Sequence, residues 1–162
     1  FDTSILFSDA ASATLLYGEE HFTKGKARLF RPDLSAKGED GSTLLVPLRD
    51  TGFIQMKGRR VFSEAVRSMV SSLTRACERQ GVAVDELDLI VPHQANQRII
   101  EAVQARIAPP VFSNIRFHGN TSSSSIPLCL EEVLPRLQAD QRLGLCAFGS
   151  GFTFGATLLQ TL

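Results

Sequence analysis

Three short runs hold the residues whose types could do chemistry: Pro92-His93-Gln94-Ala95-Asn96, His118-Gly119-Asn120-Thr121-Ser122 and Phe148-Gly149-Ser150-Gly151-Phe152. Each follows an apolar stretch that reads as a buried strand, at 87–91, 111–117 and 143–147 respectively. Ligands of open α/β sheets collect beyond the C-terminal strand ends, so the three loops are expected to converge on one cleft. His93 follows a proline that stiffens the strand exit, and reads as the head of a helix over 94–107. A positive helix end disfavours protonation and leaves a neutral imidazole able to donate one hydrogen bond. Asn120 offers a second uncharged donor beside Gly119, which would let a ligand approach the backbone closely. Two neutral donors suit an oxygen that becomes negative during a reaction. On residue type alone, His93 also fits a structural histidine, and Asn120 a turn or helix-cap residue.

The glycine-rich run fails the tests for other motifs. A serine-hydrolase elbow needs glycine two residues before the serine, where Phe148 stands. The run joins two strands instead of opening a helix, and no Gly-Lys-Ser/Thr follows, so neither the dinucleotide nor the P-loop reading has its context. What remains is a glycine hairpin, either a plain tight turn or one that offers a backbone N–H to a ligand. Cys77, Cys129 and Cys146 fall on apolar faces or inside a strand, away from helix starts, and read as small core residues. Their spacing with the histidines does not match a zinc site, so no metal site is expected. His21 and His118 read as surface or loop residues, with His118 the nearer to the cleft.

The elements that must position these loops form a strand and helix alternation. Two short buried strands are expected at 4–7 and 13–17, joined by a small polar turn. Residues 18–41 read as a polar surface excursion around one edge strand at 27–30, followed by a strand at 42–48 and a loop at 49–58. Val61, Phe62, Ala65, Val66, Met69, Val70, Leu73 and Cys77 recur at helical spacing before Gly81, which stands where a C-terminal stop belongs. The helix over 94–107 ends at Pro109-Pro110. A third helix opens in the Ser/Thr cluster after Asn120, with Pro127 in its first turn and Ile126, Leu130, Val133, Leu134 and Leu137 inward. Strands at 143–147 and 152–159 close the chain as a hairpin. The order predicts an α/β layered fold with a mixed sheet.

Composition narrows the function classes. The 162 residues, 43% of them hydrophobic, are enough for one core and too few for two ordinary domains. Seventeen basic residues balance seventeen acidic ones, so no net positive field gathers nucleic acid or an anionic membrane. No apolar run approaches the ~18 to 20 residues of a spanning helix. Three cysteines without a close pair fit a reducing compartment, and the cytosol is the expected location. Residue 1 is Phe, not Met, and the chain is expected to be part of a longer one. Lys57, Arg59, Arg60, Arg67, Arg75 and Arg79, with Arg98 and Arg106 on the next helix, read as a solvated face or a surface for an acidic protein or a phosphate-bearing thioester carrier.

Taken together, Val91-Pro92-His93-Gln94-Ala95-Asn96-Gln97-Arg98-Ile99-Ile100, the His118 to Ser122 run and Ala147-Phe148-Gly149-Ser150-Gly151-Phe152-Thr153-Phe154-Gly155 closely resemble the β-ketoacyl-acyl-carrier-protein synthase III family. Phe7-Ser8-Asp9-Ala10-Ala11-Ser12-Ala13 and Met56-Lys57-Gly58-Arg59-Arg60-Val61-Phe62 also resemble family segments. The resemblance covers nearly the whole chain and implies the C-terminal half of a thiolase-like layered fold: a mixed five-stranded sheet with helices, one of two pseudo-symmetric halves. Residues 1–162 would form that single domain, with the N-terminal half absent.

The resemblance implies a Cys-His-Asn set in which His93 and Asn120 are the second and third members and the nucleophilic cysteine belongs to the N-terminal half. An acyl group would pass from coenzyme A to that cysteine, with the Ser150 N–H helping to hold the oxyanion. A malonyl thioester would then lose carbon dioxide, its enolate oxygen held by His93 and Asn120, and the carbanion would attack the acyl-cysteine. Gly58 and Asn96 match positions lining the pantetheine tunnel, Phe62 an aromatic beside it, Phe148 a ring beside the cysteine, and Arg98 a residue that docks acyl carrier protein. No tightly bound cofactor is implied; coenzyme A thioesters are substrates, and the full-length protein would be a homodimer. This sequence has Ala10, Ser12 and Ser150 where the family often has glycine, and Phe154 where it often has tryptophan. Two alternatives stand beside condensation: acyl transfer to an alcohol or amine with His93 as general base, and a non-catalytic subunit that binds carrier protein.

Overall fold

The computed structural model describes residues 5–18, 20, 25–47 and 52–162. Its main sheet is built around β6 (Arg142–Gly149) and β7 (Thr153–Thr161), which pair antiparallel from Arg142↔Gln160 to Gly149↔Thr153. β5 (Leu89–Pro92) runs parallel to β6 on its other side. β1 (Ala27–Leu29) and β2 (Asp33–Ala36) both pair antiparallel with β7, β1 toward its end and β2 toward its start. The result is a mixed five-stranded sheet in the order β1-β7-β6-β5, with β2 also on β7. β3 (Leu44–Leu45) and β4 (Gln55–Met56) form a separate two-stranded ribbon.

Helices cover both faces. α1 (Gly58–Arg79) buries Val61, Ala65, Val66, Met69, Leu73, Ala76 and Cys77, the stripe that the 3.6-residue period demands, in a cluster with Ile90, Cys146, Phe152, Ala156 and Leu158. Gly81 ends it as expected: at φ +66° it lets the Gly81 and Val82 N–H groups turn back onto the carbonyls of Glu78 and Cys77. α2 (Gln97–Gln104) packs beside α1 through Ile99 and Val103. On the opposite face α4 (Ser125–Val133) places Cys129 and Val133 against Val91, Leu143, Leu145 and Leu159. The α/β expectation therefore holds, with helix, sheet and helix layers.

Several elements differ from expectation. No strand forms within residues 5–18: Ile5, Leu15, Leu16 and Tyr17 are exposed, because this extended stretch finds no strand to pair with among the described residues; Ser4, the first residue of the expected strand, lies outside them. The polar excursion holds β2 as well as β1, and its Asp33 is 1% exposed, neutralised by Arg75 at 2.8 Å and Arg79 at 2.9 Å. His21 and Lys24 lie outside the described residues. Only Leu44–Leu45 of the expected 42–48 strand is extended, since Gly38–Thr43 winds into a 3₁₀ helix; Leu48 lies outside the described residues. The loop expected over 49–58 contributes β4, with residues 49–51 outside the described set.

The helix expected over 94–107 starts later, at Gln97, because Asn96 is its cap: the Asn96 side chain accepts the Arg98 N–H at 2.9 Å. The strand expected at 111–117 reduces to one parallel bridge between Val111 and Ile90, after which Ile115–His118 turns as the short helix α3. Asn114 stops the extended run, as its backbone N–H donates to the Gln94 side chain at 3.1 Å and its carboxamide to Glu132 at 2.7 Å.

Candidate active site

The ladder between β5 and β6 carries His93 to the sheet edge. Its N–H continues the parallel pairing by donating to the Cys146 carbonyl at 2.8 Å. The loop after it is clamped by Gln94, 1% exposed, whose side chain donates to the Pro92 carbonyl at 2.8 Å and accepts the Asn114 N–H. The His93 ring meets the start of α4, with Nδ1 2.6 Å from the Ser125 hydroxyl. Burial lowers the His93 pKa to about 4, so the imidazole is neutral at pH 7. That neutrality was expected from a helix end; the late start of α2 removes that cause, and desolvation takes its place.

Asn120 is held by backbone on both sides. Its Oδ1 accepts the Ser122 N–H at 3.0 Å, and its carbonyl accepts the Ser8 N–H at 2.9 Å. A backbone N–H can only donate, so the accepting side-chain atom is the oxygen, and the NH₂ is the group left for a ligand. Gly119 makes the turn at φ +70°, and a Cβ there would overlap the Ser8 hydroxyl oxygen. Beyond β6, the Ser150 hydroxyl donates to the Leu44 carbonyl at 2.6 Å, and Thr153 donates to the Ser150 carbonyl at 2.9 Å. Phe148, nearly buried, packs on Phe152 with ring centroids 4.9 Å apart.

These elements line a mainly apolar, open-mouthed cavity of about 790 Å³. His93, Asn120, Ser150, Phe148, Gly58, Phe62, Asn96 and Arg98 all line it, so every site residue singled out in the sequence reaches one space. Leu6 and Phe7 of the N-terminal stretch form part of its wall, as do Leu44, Leu45, Ile54 and Met56 from the ribbon and its approach. Sequence reasoning missed those wall residues, and it missed Ser125; a fourth serine in a Ser122 to Ser125 run carries no local sign that separates it from its neighbours.

Other candidates lie elsewhere. His118 is exposed at the end of α3, 3.2 Å from Glu132, and does not line the cavity. Burial pushes Cys77 up to about 11 and Cys129 and Cys146 up to about 12, so none is a thiolate at neutral pH. Of the basic cluster, Arg60, Arg67, Arg75 and Arg79 are engaged by Asp40, Glu64 and Asp33, whereas Arg98 is exposed at the cavity. Among the described residues no group of His, Cys, Asp and Glu could hold a metal ion, and no helix is long and apolar enough to cross a membrane.

The depressed His93 pKa has a consequence for stability. The unfolded chain takes up this proton near 6.5 and the folded chain only near 4, so the unfolded state binds more protons between those values. Stability from neutral His93 is complete above 6.5 and declines as pH falls toward 4. Thermal melts of the full-length protein should therefore show wild type losing more stability than His93→Ala over that interval; parallel losses would contradict the buried neutral ring.

Known proteins match this chain in sequence and in fold. Residues 77–161 match the family described as 3-oxoacyl-[acyl-carrier-protein (ACP)] synthase III C terminal. A beta-ketoacyl-[acyl-carrier-protein] synthase III of Oleidesulfovibrio alaskensis is 38% identical over 98% of this chain and 53% of its own length. The crystal structure of 3-oxoacyl-[acyl-carrier-protein] synthase III from Aquifex aeolicus superposes with a TM-score of 0.78 at 36% identity, over 86% of this chain and 46% of that one. The priming beta-ketosynthase of the R1128 polyketide biosynthetic pathway does so at 0.73 and 27% identity, over 82% and 45%. The chain spans about half the length of the curated relatives it matches. With sheet order, helix layers and the C-terminal family match in agreement, the chain belongs to the 3-oxoacyl-[acyl-carrier-protein] synthase III family, as a C-terminal half of its thiolase-like fold.

Proposed function

We propose that residues 1–162 are the C-terminal domain of an acyltransferase that condenses an acyl-CoA-derived primer with a malonyl thioester, in fatty-acid or polyketide-type biosynthesis. The observation that carries this reading is the pair of uncharged donors on one apolar cavity. His93 is neutral by burial, and Asn120 has its oxygen turned to backbone and its NH₂ left over. Loss of carbon dioxide from a malonyl thioester moves negative charge onto the thioester oxygen as the bond breaks. Neutral donors favour that developing charge without gripping the substrate carboxylate in the ground state, as a cation would.

The acylated cysteine belongs to the N-terminal half; the buried, protonated thiols of this half are unsuited to that role. Ser150 sits at the cavity with its hydroxyl and carbonyl both bonded, which leaves its N–H for the acyl oxyanion. Gly58, Phe62 and Asn96 line the approach for the pantetheine arm, Phe148 packs beside the acyl group, and exposed Arg98 at the cavity meets acidic acyl carrier protein. The full-length protein works as a cytoplasmic homodimer on coenzyme A and carrier-protein thioesters, with no tightly bound cofactor.

The product assay tests this reading. Full-length protein given an acyl-CoA and a malonyl thioester should yield a 3-oxoacyl thioester and carbon dioxide in equal amounts. An ester or amide formed from an added alcohol or amine, without carbon dioxide, would overturn it.

A further inference from the structure

We infer that Ser125 is a positioning residue that sets which nitrogen of His93 carries the proton. The inference rests on the reading that His93 serves the reaction as a neutral donor. Ser125 is the first residue of α4, 2% exposed, and borders the cavity. Its hydroxyl oxygen lies 3.3 Å from the Gln94 backbone nitrogen and 2.6 Å from His93 Nδ1. The Gln94 N–H can only donate, so the oxygen accepts there. A hydroxyl has one proton to give, and among the described residues His93 Nδ1 is the one acceptor bonded to it.

Nδ1 is therefore the accepting nitrogen, and a neutral ring then carries its hydrogen on Nε2. The opposite tautomer would aim two N–H donors, from Gln94 and Nδ1, at one oxygen and leave the buried hydroxyl proton without a bonded acceptor. A stranded polar group of that kind disfavours the opposite tautomer by about ten-fold or more. Gln94 makes the arrangement rigid: its side chain is tied to the Pro92 and Phe112 carbonyls and to the Asn114 N–H, so its own backbone N–H is fixed toward Ser125. The relay from Gln94 through Ser125 to His93 thus presents an Nε2–H donor and keeps the Nε2 position from becoming an acceptor that would repel an enolate oxygen.

The test uses full-length protein labelled with ¹⁵N-histidine, with the His93 signal assigned by its loss in His93→Ala. Wild type should show a ring protonated at Nε2 alone. In Ser125→Ala a substantial Nδ1–H population should appear, and kcat for malonyl-thioester decarboxylation should fall about ten-fold, the loss of one hydrogen bond of ordinary worth, with KM within about two-fold. Ser125→Thr, which retains the hydroxyl, should restore the Nε2–H spectrum. A Ser125→Ala ring still protonated only at Nε2, or a Ser125→Thr protein with the alanine spectrum, would overturn the inference. If His93→Ala leaves decarboxylation unchanged while the tautomer responds as stated, the role of His93 fails and the relay stands. If His93→Ala abolishes decarboxylation while Ser125→Ala leaves tautomer and kcat at wild-type values, the relay fails alone.

Discussion

His93→Ala in the full-length protein is expected to lower condensation by about 10²- to 10³-fold, the usual effect of removing one donor to a developing oxyanion. Cysteine acylation should stay within a few-fold of wild type if, as proposed, the Ser150 N–H holds the acyl oxyanion and the nucleophile lies in the N-terminal half. The separation can be read by mass spectrometry of the acyl-enzyme beside the rate of 3-oxoacyl product formation. The substitution should not unfold the domain: the ring borders the cavity, where its loss opens no sealed void, and its backbone N–H, which extends the β5 and β6 ladder to the Cys146 carbonyl, is untouched. Equal losses in acylation and condensation would mean that the ring supports the site as a whole instead of the enolate.

Gly119→Ala should come second in effect, through geometry rather than chemistry. Gly119 has φ +70° and ψ −161°, a conformation almost confined to glycine, at a cost of roughly 1 to 3 kcal/mol for another residue. The added Cβ also overlaps the Ser8 hydroxyl oxygen. Rotation about χ1 can move the hydroxyl, but the Ser8 Cβ, 3.3 Å from the added atom, is held by the backbone whose N–H bonds the Asn120 carbonyl, so the remaining strain falls on a donor of the site. Condensation is expected to fall at least about ten-fold, together with a lower melting temperature of the full-length protein. Wild-type turnover would show that the Ser8 stretch and the Asn120 turn move independently.

The contact between Ser8 and Asn120 also shows where sequence reasoning stops. The α1 stripe and its Gly81 stop were legible because period and cap are local properties. The three site loops were legible because polar, turn-forming residues follow apolar stretches, a pattern that survived even where the 111–117 strand shrank to a single bridge. Strand pairing is not local: Ile5, Leu15 and Leu16 look like buried strand residues whether or not a neighbour exists, and among the described residues they have none. Asp33 looked like surface because its partners, Arg75 and Arg79, lie some forty residues away on α1. Ser125 was invisible for the same reason, since its meaning comes from a ring 32 residues earlier in the chain. The neutral state of His93 was anticipated, but its cause was misassigned, because the Asn96 cap places the helix start beyond the ring.

The central claim, that His93 and Asn120 hold the enolate, is tested most directly by carbon dioxide release from a malonyl thioester. The measurement uses full-length protein whose reactive thiols have been alkylated, so that acyl transfer is removed; the three cysteines of this half are buried and protonated and escape the reagent. The alkylated wild type should still release carbon dioxide, and His93→Ala and Asn120→Ala should each reduce that release by about 10²-fold or more. Release unchanged by either substitution would contradict the account.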